Sequence, residues 1–247
     1  MNFRWSNGVL APELCAGSAP VTKALRKLGY AAIAFDIGRG PQFDLLNKTV
    51  ASLVQGWISS GCIAGLWLSL HSTTYALSGL VPLRSLRHLS GVARLTSVQQ
   101  AKVHHADALT MACLPLLRLA ARLGVPAGME HPTDSALWHF PSACSLGRQG
   151  VFLDTDLCGF GTPWRKTLRL LLFNVRDVAP LGFRCTAHHG RCSFSFQRHT
   201  PLASLGATSG HCYPARLAYA VAECLATSAQ FRNMDLRQAL VHCSSFG

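Results

Sequence analysis

Within residues 13–36, ELCAGSAPVTKALRKLGYAAIAFD, a short apolar strand, a turn of small residues, a helix and a second strand closed by an acid follow one another, and this order leaves few folds open. Two strands joined by a helix over so short a stretch read as a parallel pair, the unit of an α/β sheet. The turn Cys15-Ala16-Gly17-Ser18-Ala19 carries side chains small enough for a ligand to meet the backbone. The helix over residues 21–28 is expected to present its N-terminal amides there, and Asp36 can take a pair of ribose hydroxyls. Gly17 and Asp36 stand at roughly the 20-residue separation usual between such a turn and its acid. Gly17 is the turn's only glycine, so the G-x-G-x-x-G cradle of a dinucleotide is missing. A ligand with adenosine but no pyrophosphate fits better, which points to S-adenosylmethionine. The same stretch also suits an ordinary strand-helix-strand unit without a ligand.

Apolar runs rich in Ala, Val, Ile and Leu recur at residues 11–16, 31–35, 62–70, 125–129, 150–154 and 168–174, separated by helical or irregular stretches. The alternation predicts a Rossmann-like, doubly wound, mostly parallel sheet. QFDLL, with Asp44, reads as a possible further strand, and a helix over 46–59 follows it. A long helix over 97–123 starts at the capping-box sequence Thr96-Ser97-Val98-Gln99, meets Pro115 where a kink is expected, and ends at Gly124. Residues 79–95, with Arg84, Arg87 and Arg94, read as a basic loop, and residues 213–227 as an amphipathic helix with Pro214 in its first turn. One domain over 1–247 is expected, with a short irregular insert at 175–212.

The chain has 23 Lys+Arg against 11 Asp+Glu, a net charge of +12 that favours a polyanionic partner, most simply nucleic acid. Because acids are few, Asp36, Glu130, Asp154 and Asp156, each closing an apolar run, stand out as candidates at strand ends, where open α/β sheets hold their sites. No stretch approaches the roughly 18 to 20 apolar residues of a membrane span, and the N-terminus lacks a signal core. An intracellular chain is expected, nuclear in a eukaryote and otherwise cytoplasmic, with its ten cysteines reduced. Cys185, His188, His189, Cys192, His199, His211 and Cys212 are dense in metal-capable groups, but the interval from Cys185 to Cys192 is too wide for a paired zinc signature, so no metal site is expected.

Taken in order, these segments resemble the cytosine-5 DNA methyltransferases, especially compact phage- and transposon-like members. Glu13 to Ser18 is similar to that family's first-strand ligand turn, Asp36 to its second-strand acid, and Asp44 to the acid that binds the adenine amino group. WLSLHSTTY at 67–75 occupies the place of the catalytic Pro-Cys loop, and Glu130-His131-Pro132 resembles the Glu-Asn pair closing the fifth strand. Trp164-Arg165-Lys166 with Arg169 is similar to the basic strand beside the flipped base, and the segment from Gly210 and His211 to Ala218 resembles the late segment that returns to the cofactor. The resemblance implies a class I S-adenosylmethionine-dependent methyltransferase fold with S-adenosylmethionine as cofactor and DNA as partner. It implies that Cys15, Ala16, Gly17, Ser18, Asp36, Asp44, Gly210 and His211 line the cofactor, that Trp164, Arg165 and Lys166 touch nucleic acid, and that Ser72, Glu130 and Arg169 hold the catalytic positions.

The family's cysteine attacks C6 of cytosine as a thiolate, and Ser72 stands in its place. A serine hydroxyl forms almost no alkoxide at neutral pH without a strong base beside it. Cys158, near the basic strand, is one candidate to replace the thiol, although cysteine is more often a small core residue. Glu130 reads equally as a buried acid that protonates cytosine N3 and as a strand-end acid paired with an arginine. The basic strand reads either as a phosphate grip or as a solvated edge. Three functions stay open: a DNA cytosine-5 methyltransferase, an inactive homologue that binds nucleic acid or S-adenosylmethionine, and a methyltransferase acting on another acceptor.

Overall fold

A computed structural model of the chain describes residues 10–77, 82–202 and 213–244, the side chains of His188 and of residues 231–244 excepted. All six apolar runs form strands: β1 (Ala11–Leu14), β2 (Ala32–Phe35), β3 (Leu66–Leu68), β4 (Ala127–Pro132), β5 (Val151–Asp156) and β6 (Thr167–Phe173). They make one open sheet in the order β2-β1-β3-β4-β6-β5. The first four run parallel, with Leu14 opposite both Phe35 and Leu68, and Leu68 opposite Met129. β6 alone is reversed, antiparallel to β4 on one side and to β5 on the other. The sheet is therefore mostly parallel, with one inverted strand near its edge.

Helices cover both faces, as a sheet apolar on both sides requires. Strand alternation sends Leu66, Leu68, Leu171 and Phe173 into one core and Trp67, Leu168, Leu170 and Leu172 into the other. The first core packs against α2 (Lys48–Ser59), α3 (Ser97–Arg122) and the short α4 (Pro141–Gly147), the second against α1 (Pro20–Lys27) and α5 (Ala215–Ser244). Close packing leaves no room at Gly128 of β4, where a Cβ would lie 2.6 Å from the Trp67 ring and 2.8 Å from Leu172.

Helix starts follow the residues that satisfy their free amides. Asn47 accepts from Thr49 N at 2.9 Å to open α2. At α3 the capping box forms as the sequence predicts: Gln99 N donates to Thr96 Oγ1 and Thr96 N to Gln99 Oε1. α3 runs through Pro115, and Gly124, at φ 70°, ends it in the left-handed region that favours glycine.

One local expectation is corrected, and two features are added to it. QFDLL is no strand; Pro41–Phe43 is a single 3-10 turn, because Pro41 and Gly40 (φ 124°) bend the chain out of extension. α4 and the turn Ala136–His139, absent from the sequence reading, begin at Pro141 and at the Ser135 cap. The basic stretch is not wholly solvated. Arg84 is fully buried, donates to the carbonyls of Thr74, Leu89 and Val103, pairs with Asp107 at 2.8 Å and lies 4.2 Å over the Tyr75 ring. Its guanidinium has the donors to bind several carbonyls at once. Among the described residues eight cysteines are free, and no helix is long and apolar enough to cross a membrane.

Candidate functional site

From β1 the chain runs to β2 on one side and then returns to β3 on the other, so the crevice at the carboxyl ends of β1 and β3 is the sheet's switch point. The turn after β1 enters this crevice with Cys15, Gly17 and Ala19 all in the left-handed region, at φ 54°, 50° and 56°. Asp36, at the end of β2, holds that turn: one carboxylate oxygen accepts from Gly17 N and the other from Gly38 N, both at 2.9 Å. Arg39 closes it from outside by donating to the Gly17 carbonyl at 3.1 Å.

The expectation that α1 offers free amides to a ligand is corrected by Glu13. Its buried carboxylate accepts from Val21 N at 3.4 Å and from both N and Oγ1 of Thr22 at 2.6 Å. Pro20 has no amide hydrogen, and Lys23 N already donates to Ala19 O. The helix start is thus filled by the protein's own carboxylate, which leaves no place for a phosphate. An acid inside an apolar strand, four residues before a turn glycine, was the signal in the sequence for this role.

Cys15, Ala16, Gly17, Ser18, Ser72, Glu130 and Lys166 line one cavity of about 420 Å³. Asp36 and Asp44 line an adjoining recess of about 70 Å³ that shares Cys15 and His71 with it. In that recess Phe35 and Phe43 stand edge to face at 5.9 Å, and Asp44 accepts from Leu46 N at 2.9 Å. Gly210 and His211 lie outside the described residues, but Tyr213, just beyond them, lines the larger cavity.

Burial pushes the Glu130 carboxyl up to about 7; the Lys166 ammonium opposes the rise and the Glu13 carboxylate adds to it. Burial likewise raises Glu13 against the bonds from Thr22 and Val21, and lowers Lys166 against the pull of Glu130 and Asp134. A carboxyl poised near neutrality can donate to a ring nitrogen when protonated and accept when ionised. Neighbouring His131 behaves differently. Its ring is buried edge to face against Tyr75 and Trp138, and burial holds its pKa down to about 3, so it is neutral.

Among the described residues no group hydrogen-bonds Ser72 Oγ, so no base is placed to activate it. Arg169 does not line the cavity. β6 alternation turns Leu168 into the cavity and Arg169 to the opposite face, where Asp154 accepts two hydrogen bonds from it, at 2.7 and 2.9 Å, and it lies over Phe152. Arg165 reaches toward Asp156 at 3.5 Å, and the Trp164 indole nitrogen is buried outside the cavity. Lys166 is thus the one member of the basic strand that the fold brings to the site.

Cys158, the candidate to replace the thiol, does not line the cavity. It sits in the turn Leu157–Phe160, where burial and the neighbouring Cys192 and Cys185 push its thiol up. The ligand atoms of Cys158, Cys185, Cys192 and His199 all lie within 4.8 Å of one another, a convergence that the spacing along the sequence did not anticipate. Three of these residues, Cys185, Cys192 and His199, stood in the Cys/His-rich segment; Cys158 comes from another element, and nothing in sequence spacing joins it to them.

No protein-family model matches the chain, and no curated protein matches it.

Proposed function

We propose that this chain binds S-adenosylmethionine at the switch point and takes a nucleic-acid base into the Glu130 cavity, as an inactive relative of the cytosine-5 DNA methyltransferases. The observation that carries this reading is the convergence of the turn 15–18, Ser72 and Glu130 on one cavity beside the recess of Asp36 and Asp44. Supporting it, the filled start of α1 suits a ligand with an adenosine but no phosphate. The reversed β6 beside an otherwise parallel sheet also suits the class I methyltransferase fold. The net charge of +12 favours a polyanionic partner.

In this reading Asp36 holds the ribose, Asp44 the adenine edge and the backbone of 15–18 the amino-acid end. The bound S-adenosylmethionine supplies an electrophilic methyl group. Glu130, its carboxyl raised by burial to about 7, donates to a ring nitrogen of the base when protonated, and Lys166 beside it favours return of the carboxylate. Ser72 occupies the position of attack but keeps its proton, because no base meets it among the described residues. The covalent adduct that activates cytosine C5 is therefore not formed.

A second reading follows from Glu130 alone: as a base near neutral pH, it can serve transfer to an acceptor that needs no thiolate. One set of measurements separates the two. Calorimetry with S-adenosylmethionine is paired with tritiated methyl transfer to duplex DNA, for the natural chain, Ser72→Cys, Ser72→Ala and Asp36→Ala. The expected result is cofactor binding by the natural chain, weakened about tenfold or more by Asp36→Ala through loss of charged hydrogen bonds, and methyl transfer only in Ser72→Cys. Methyl transfer by the natural chain that Ser72→Ala leaves intact supports the second reading. Transfer abolished by Ser72→Ala, or no cofactor binding at all, refutes the first.

A further inference from the structure

Segment 182–202 has little regular structure, and among the described residues the only buried apolar cluster it enters consists of Cys158, Cys185 and Cys192 themselves. Three thiols and an imidazole converge there. Cys185 Sγ lies 3.9 Å from Cys192 Sγ and 3.7 Å from His199 Nε2, and all four ligand atoms fall within 4.8 Å of one another. The sulfurs are far too distant for a disulfide, whose bond is about 2.05 Å. An ion held tetrahedrally at about 2.3 Å from sulfur and about 2.0 to 2.1 Å from nitrogen sets sulfur–sulfur edges of about 3.8 Å and sulfur–nitrogen edges of about 3.6 Å. The Cys185–Cys192 and Cys185–His199 separations match those edges.

We propose that Cys158, Cys185, Cys192 and His199 form a structural zinc site. The three cysteines are buried and His199 half-buried, so the site is closed on four protein ligands, the form structural zinc takes and catalytic zinc does not. The surroundings hold the ligands in place. Ser193 N donates to Cys185 Sγ at 3.4 Å, and the amides of Ser195 and Phe194 are directed at the Cys192 sulfur. The buried Asp156 carboxylate accepts from Cys185 N at 2.8 Å and from the Thr167 hydroxyl, anchoring the loop to the end of β5. Such outer contacts orient ligands and spread the charge of thiolate sulfurs. On binding Zn²⁺ the three thiols release three protons to solvent while the imidazole binds neutral, leaving a complex of charge −1.

The geometry also assigns the metal a task. Cys158 follows Leu157, which lines the large cavity and whose amide donates to the carbonyl of Lys166 at 2.9 Å. The ion thereby fastens segment 182–202 to the turn that forms one wall of the cavity. This inference stands on the cluster alone and does not depend on the proposed ligand or on turnover.

The test is metal analysis of the whole chain purified without chelator, alongside Cys158→Ser, Cys192→Ser and, as an off-site control, the exposed Cys62→Ser. The expected result is about one zinc per chain in the natural protein and Cys62→Ser, falling at least about fivefold in the other two. Because those variants can fail to fold, the natural chain is also loaded with Co²⁺, which should show thiolate-to-cobalt charge transfer and the intense visible bands of a tetrahedral site. A natural chain with less than about a tenth of an equivalent of zinc and no such cobalt spectrum overturns the proposal. So does full zinc retention in the folded Cys158→Ser, Cys192→Ser double variant.

Discussion

Replacing Glu130 with glutamine tests the electrostatics of the cavity without relying on any ligand. Glu130 carries a carboxyl raised from 4.5 to about 7 by burial. Between those values the native protein keeps a proton that the unfolded chain has released, so stability falls as pH rises through this window and is level above it. The window spans about two and a half pH units, each worth about 1.4 kcal/mol, so the loss attributable to Glu130 is about 3 kcal/mol. Glutamine has the same size and no titration, and should remove this slope. His131 contributes with the opposite sign: its pKa is lowered to about 3, so its share of stability is lost as pH falls below the ordinary histidine value. The difference between natural and variant proteins cancels that term. Urea unfolding at intervals from pH 4.5 to 8 should show the glutamine variant gaining about 3 kcal/mol on the natural chain by pH 7 and no more beyond it. Carboxyl carbon NMR of Glu130 should show a midpoint near 7. Parallel stability curves with a midpoint near 4.5 would refute the view that burial in this cavity holds the carboxyl near neutrality.

Two further substitutions probe what shapes the site. Gly128→Ala should cost about 1–3 kcal/mol in urea unfolding by overpacking, since the new methyl meets the Trp67 ring at 2.6 Å and the Leu171 carbonyl at 3.1 Å; an unchanged midpoint would show that β4 has slack there. Arg84→Met should cost about 3–5 kcal/mol, because it leaves Asp107 and the carbonyls of Thr74, Leu89 and Val103 without their buried partner. Amide exchange across 82–95 should accelerate with it, and unaltered protection there would contradict an anchoring role for Arg84.

Much of the architecture was legible because it depends on local pattern. Each strand announced itself by a short apolar run between turn residues, and Thr96 with Gln99 marked the start of α3 within one turn of chain. QFDLL misled for the converse reason: its apolar residues fit a strand, but Pro41 and Gly40 decide the backbone there. The contact between the turn at 15–18 and Asp36 was legible because a turn and an acid at the ends of adjacent parallel strands lie close together, as the 2.9 Å bond between Gly17 and Asp36 shows.

The side chains that complete the site were not legible in the same way. Lys166 and Arg169 look alike in sequence, yet the pleat of β6 and the acid opposite Arg169 turn one into the cavity and bind the other to Asp154. Glu130 could be read equally as a paired surface acid or a buried one, and only packing separates these, because desolvation depends on everything that surrounds the carboxyl. Cys158, Cys185, Cys192 and His199 make the contrast plainest. Residue type alone showed that metal-capable groups were present. Their convergence required the end of β5 and a distant loop to fold onto one another, and distances between separate elements are fixed by the path of the whole chain, about which spacing along the sequence says nothing.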